Sequence, residues 1–111
     1  MQRLREIYVS GRASEEETAA TIRDLHARTG ETVCPHTAVG VKVAGEVATD
    51  GPMVTLATAH PAKFPDAVEA ATGRRPALPP RMADLFDRPE RMVEMPNDVR
   101  KIQSLIDERI A

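Results

Sequence analysis

The side chains that most invite a chemical reading are Cys34, the histidines His26, His36 and His60, the lysines Lys42, Lys63 and Lys101, and the hydroxyls beside them. Cys34-Pro35-His36 offers a pair of possible metal ligands close in sequence, with His60 and His26 as remote candidates. A structural zinc site closes with four ligands, usually as two close pairs. No second pair is present, so no metal centre is expected. A thiol nucleophile needs a base within hydrogen-bond reach and a third group to orient it. Cys34 and His36, separated only by Pro35, are poorly placed to face each other in that way. A buried thiol beside a histidine that caps or lines a packed turn is the simpler expectation. Neither a G-x-G-x-x-G run nor a Walker sequence is present, so the chain holds no glycine-rich phosphate cradle. Thr72-Gly73-Arg74-Arg75 could meet an anion, but it reads first as a helix end whose basic residues suit the dipole.

The stretch with the best chemical prospects is Leu56-Ala57-Thr58-Ala59-His60-Pro61-Ala62-Lys63-Phe64. It follows Met53-Val54-Thr55-Leu56-Ala57, which has the length and composition of a buried strand, and leads into a helix over residues 61–72 stopped by Gly73. A strand that turns into a helix at Thr-Ala-His-Pro would place small polar groups at the carboxyl edge of a sheet, where open α/β folds bind ligands.

Other elements must hold that edge. Ser14 followed by Glu15-Glu16-Glu17 is a capping box, with acidic residues at the positive end of a helix dipole. Ala19, Ile22, Leu25 and His26 then recur at helical spacing up to Thr29-Gly30. A second helix is expected from near His36-Thr37 to Val47, its small residues Ala38, Gly40, Ala44 and Gly45 suited to close packing. The valines at 39, 41, 43 and 47 leave a strand as the alternative there. A turn at 49–52, a proline-rich link at 76–80, a short helix at 80–86 and a short strand at 91–95 follow. Asn97 is expected to cap a last helix, with Asp98 in its first turn and Val99, Ile102, Leu105, Ile106 and Ile110 on one face. The expected fold class is α/β: a partial open sheet with flanking helices, too small to cover every apolar helix face.

The 111 residues allow one domain at most. Fifteen basic and seventeen acidic residues give a net charge of −2, which provides no broad attraction to nucleic acid or an anionic membrane. Aromatic residues make up 3% with no Trp, which excludes a base-stacking platform. A single cysteine forms no internal disulfide and suits a reducing compartment. The uncharged run from Gly51 is interrupted by Pro52 and too short for a bilayer, and no apolar signal core follows the N-terminal arginines. A soluble cytoplasmic protein is expected.

Pro35-His36-Thr37-Ala38, then Thr58-Ala59-His60-Pro61-Ala62-Lys63-Phe64, then Ala77-Leu78-Pro79 resemble, in order and spacing, the motifs of the C-terminal part of threonine synthase. The likeness runs from about Gly11 through the final helix. It implies fold type II of the pyridoxal 5'-phosphate (PLP) enzymes, shared with tryptophan synthase β, and conversion of O-phospho-L-homoserine and water to L-threonine and phosphate. It also implies a fragment. The family is several times longer, and its Schiff-base lysine and phosphate cup belong to an N-terminal domain that would have to be supplied in cis. The isolated chain is therefore expected to be inactive.

The resemblance assigns Thr58 to the hydroxyl that meets the cofactor's pyridine nitrogen; the plain alternative is that Thr58 ends a strand and caps the next turn. Lys63 would reach a substrate phosphate or be an ordinary surface charge. His60 would fix its turn by hydrogen bonding or act in proton transfer. His36 and Thr37, at a helix start, would orient groups near the cofactor or merely cap. Two rival readings stand beside this one. One is a non-catalytic remnant that presents its apolar faces to a partner. The other is a related β-replacing or β-eliminating PLP enzyme, against which the His60-Pro61-Ala62-Lys63-Phe64 run argues.

Overall fold

The computed structural model of the chain describes Arg3 and residues 7–110. Its first long element, α1 (Glu15–Thr29), starts where the capping box places it. The Glu17 amide donates to Ser14 Oγ at 3.2 Å, and the Ser14 amide donates to Glu17 Oε2 at 2.7 Å. Gly30 ends the helix at φ 77°, a left-handed position that glycine adopts without cost. The buried face of α1 carries Ile22 and Thr18. Thr18 tolerates burial because its hydroxyl donates to the Ser14 carbonyl at 2.7 Å, which leaves the methyl group to pack.

Two shorter helices lie against α1. Helix α2 (Pro35–Gly45) opens with proline at its first position, where the missing N–H costs nothing. Helix α3 (Pro65–Thr72) opens the same way and is closed by Gly73 at φ 72°. Both contact α1, and the core they share is Ile22, Ala38 and Ala71, with Val33 packed on it and Val68 and Cys34 fully buried. Helix, not strand, is what residues 39–45 form. The single helix expected over 61–72 is divided. A 3-10 turn (Pro61–Lys63) ends at Phe64, whose φ of −130° and ψ of 57° leave the helical region. Pro65 is the cause, because a residue before proline is pushed out of the α conformation. The expected short helix at 80–86 is likewise two 3-10 turns, Pro80–Met82 and Leu85–Asp87.

The expected sheet does not form: among the described residues there is no strand, and the architecture is helical. Residues 53–57 and 91–95 do not pair with each other. A strand requires a neighbouring backbone to satisfy its amides and carbonyls, whereas each helix satisfies its own. Residues 53–57 instead cross α2 at Gly40, where an added Cβ would lie 3.1 Å from Thr55 Cγ2. On that path Val54 and Leu56 stand 78% and 77% exposed, so the segment expected to be buried is largely bare. The last helix, α4 (Val99–Ile110), buries none of its residues. Its cap is Asp98, not Asn97: Asp98 Oδ1 accepts from the Arg100 amide at 2.9 Å. With so much of the chain outside the small core, the radius of gyration is 19.2 Å, against about 13 Å for a compact domain of this size.

Lys42 locks the start of α1 to α2. Its ammonium lies 3.4 Å from Glu17, 2.8 Å from Glu46, and donates to the Arg12 carbonyl at 3.1 Å. The Ser14 amide, then the Ser14 hydroxyl and Lys42, hold the Glu17 carboxyl below its ordinary value of 4.5. A carboxylate whose folded pKa is depressed contributes stability present above the unfolded value and lost as pH falls through the folded one. The melting temperature should therefore drop as pH falls below 4.5, and Glu17→Gln should make that acid limb shallower. An acid limb identical in the two proteins would contradict this assignment.

Candidate functional site

Cys34 is the point where the segments carrying the candidate residues meet. It is the N-cap of α2, with no solvent exposure. Its sulfur accepts from the Thr37 amide at 3.4 Å and lies 3.2 Å from the Thr37 hydroxyl. Burial pushes the thiol's pKa up, but hydrogen bonds from the Thr37 hydroxyl and the Thr37, His36 and Ala59 amides outweigh it, and the pKa falls below the ordinary thiol value. The sulfur is thus held by Thr37, and the influence of the Ala59 amide puts the backbone between Thr58 and His60 near it. A second contact joins the two segments further along: the rings of His36 and Phe64 meet edge to face, with centroids 4.8 Å apart and planes at 61°.

Around this junction lies a groove of about 620 Å³, lined on one side by Thr58, Ala59, His60, Ala62, Lys63 and Pro65 and on the other by Leu78, Pro79, Met82, Leu85 and Phe86. Its size is in the range of small-molecule sites, and a few polar groups against an apolar wall is their usual composition. Thr58 stands exposed in it, and among the described residues no hydrogen bond engages its hydroxyl. His60 Nδ1 accepts from the Ala62 amide at 3.1 Å, which fixes the turn and assigns the ring proton to Nε2. The Lys63 ammonium sits 5.8 Å from the Phe64 ring centroid and carries no ion pair among the described residues.

Of the residues singled out from sequence, Thr58, His60 and Lys63 share the groove. His36 and Thr37 do not line it: His36 packs against Phe64, and Thr37 is buried and hydrogen-bonded to the sulfur. The opposite wall was not anticipated beyond Leu78-Pro79. Its signal was present in the apolar spacing of Met82, Leu85 and Phe86, which read simply as a short helix. Arg75 is not an anion site: it bridges Asp66 at 2.8 Å and Glu69 at 2.7 Å on α3. Among the described residues no three His, Cys, Asp or Glu side chains cluster to hold a metal ion, and no helix is long and apolar enough to cross a membrane.

The family described as "Threonine synthase, C-terminal" matches residues 37–106. Threonine synthase of Pseudomonas aeruginosa is 46% identical over 107 residues, which cover 94% of this chain and 23% of that protein. The Corynebacterium glutamicum threonine synthase is 39% identical over 108 residues, covering 94% of this chain and 22% of that protein. The crystal structure of PLP-bound threonine synthase from Brucella melitensis superposes with a TM-score of 0.80 at 44% identity, over 96% of this chain and 23% of that one. The chain thus spans less than a quarter of the length of the relatives it matches.

Proposed function

The chain belongs to the threonine synthase family, and from that premise we propose that it forms one wall of a PLP site in a longer cytoplasmic enzyme. That enzyme is a carbon–oxygen lyase that converts O-phospho-L-homoserine and water to L-threonine and phosphate. The observation that carries this reading is the groove itself, where an unengaged Thr58 hydroxyl stands beside His60 and Lys63.

The residues present fit one edge of the cofactor. Thr58 Oγ1 is free to donate its proton to an unprotonated pyridine nitrogen. A neutral hydroxyl leaves that nitrogen without the proton an aspartate would hold there, and so sets how strongly the ring draws electrons. When bound, PLP supplies the electron sink for the substrate's carbanions. Lys63, a cation with no carboxylate beside it among the described residues, suits the substrate's phosphate as a point charge. His60, with its Nδ1 committed to the turn, presents Nε2–H as a donor only. Leu78, Met82, Leu85 and Phe86 form the apolar side that limits water in the groove. His36 and Thr37 act from behind: one steadies Phe64 and the other the Cys34 sulfur.

The lysine that carries the cofactor has to come from elsewhere. Lys42 is committed to Glu17 and Glu46, and Lys101 lies on α4 outside the groove. Catalysis therefore needs the remaining three-quarters of the family's length in cis. The test is a chimera in which this chain replaces the aligned segment of the Pseudomonas aeruginosa enzyme. Threonine and phosphate should form from O-phospho-L-homoserine with the chimera and not with the 111-residue chain plus PLP. Turnover by the isolated chain, or a soluble PLP-loaded chimera without any, would refute the reading.

A further inference from the structure

Glycine is the poorest helix former after proline, yet Gly40 stands inside α2. Its backbone does not call for glycine: among the described residues only Gly30 and Gly73 have a positive φ. What calls for it is space. A Cβ on Gly40 would lie 3.1 Å from Thr55 Cγ2, closer than side chains normally approach. Thr55 is in turn the only half-buried residue from Gly51 to Thr58, with exposed neighbours on both sides. Among the described residues no backbone hydrogen bond and no strand pairing holds residues 52–58. The run that ends at Thr58 therefore has its footing where Thr55 rests on Gly40.

We propose that Gly40 is a positioning residue for Thr58. By carrying no side chain it lets Thr55 seat on α2, and that seat sets where the extended run delivers the Thr58 hydroxyl into the groove. The proposal rests on the PLP reading above. Helix α2 is in no position to yield to an added methyl group. Cys34, Thr37 and Ala38 are buried at its start, and Lys42 ties it to Glu17 and to the Arg12 carbonyl. The run through Thr55 is free to yield, so a methyl on Gly40 displaces Thr55 by a few tenths of an ångström. Groups that act in catalysis have to be held to within about 0.5 Å. A displacement of that order, passed along the chain to Thr58, reaches the rate without reaching the fold.

Gly40→Ala in the Pseudomonas chimera tests this. Its kcat should fall about three- to tenfold, with KM for O-phospho-L-homoserine changed less, because Thr58 meets the cofactor and not the substrate. The PLP absorbance should move in the same direction as in Thr58→Val. Thr55→Ser deletes Cγ2, the atom the new methyl group would strike. Gly40→Ala combined with Thr55→Ser should therefore return to within about twofold of Thr55→Ser alone. In a Thr58→Val background Gly40→Ala should cost nothing further, since the hydroxyl it misplaces is gone. Turnover by the parent chimera tests the PLP reading by itself, and the comparisons among variants test Gly40. A Gly40→Ala chimera with the parent's rate overturns the proposal. So does a loss that Thr55→Ser leaves in place, or one that persists at full size in Thr58→Val. A Gly40→Ala chimera that fails to fold overturns it too, because the contact would then serve stability and not placement.

Discussion

Thr58→Val, introduced into the Pseudomonas chimera, should lower the rate of threonine formation by about ten- to a hundredfold, the cost of one hydrogen bond to a buried polar partner. The two side chains have nearly the same shape, and Thr58 is exposed in this chain, so the substitution removes a hydroxyl without disturbing packing. Thr58→Ser keeps the hydroxyl and should remain within a few-fold of the parent. The PLP absorbance spectrum of Thr58→Val should also change, because the group that sets the protonation of the ring nitrogen is gone. A merely structural Thr58, one that only ends an extended segment, would leave rate and spectrum alike untouched.

The largest expected effect on stability comes from Ile22→Ala. Ile22 is the largest fully buried side chain, 1% exposed, and it lies where α1 meets both α2 and α3. Truncating such a residue costs about 2–5 kcal/mol in lost burial and residual cavity. The whole stability of an ordinary domain is about 5–15 kcal/mol. The core here is narrow, drawn from Ile22, Cys34, Ala38, Val68 and Ala71 with Thr18 and Thr37. Ile22→Ala should therefore shift the urea midpoint down by about 1 M or more at the usual slope for a small protein, or leave the chain unfolded in buffer. A shift too small to measure would mean that the three helices are not held together through Ile22.

Local rules made the helices legible. Ser14 with Glu17, Gly30, Pro35 and Gly73 all stand at helix boundaries for reasons that depend only on neighbouring residues. The break at Phe64 was legible by the same logic, since Pro65 restricts it, but the apolar periodicity from Val68 onward concealed it. The absence of a sheet was not legible because a strand is not a local object. Residues 53–57 have strand composition, yet their backbone finds no partner among the described residues, and Gly40 gives them a helix to cross instead. In the candidate site, Thr58, His60 and Lys63 could be grouped from sequence because they lie within one short stretch. The part played by Cys34 could not, because its burial depends on helices packing from distant segments. The wall of Met82, Leu85 and Phe86 was hidden for a similar reason: the chain must fold back past Leu78-Pro79 before those side chains face Thr58.

On the proposed function, this chain presents Thr58 to the cofactor's ring nitrogen. A crystal structure of the PLP-loaded chimera measures that directly. Thr58 Oγ1 should lie within hydrogen-bond distance of the pyridine nitrogen, about 2.7–3.2 Å, with His60 and Lys63 on the same side of the groove. A pyridine nitrogen bonded to another residue, with Thr58 turned to solvent or to the backbone, would contradict it.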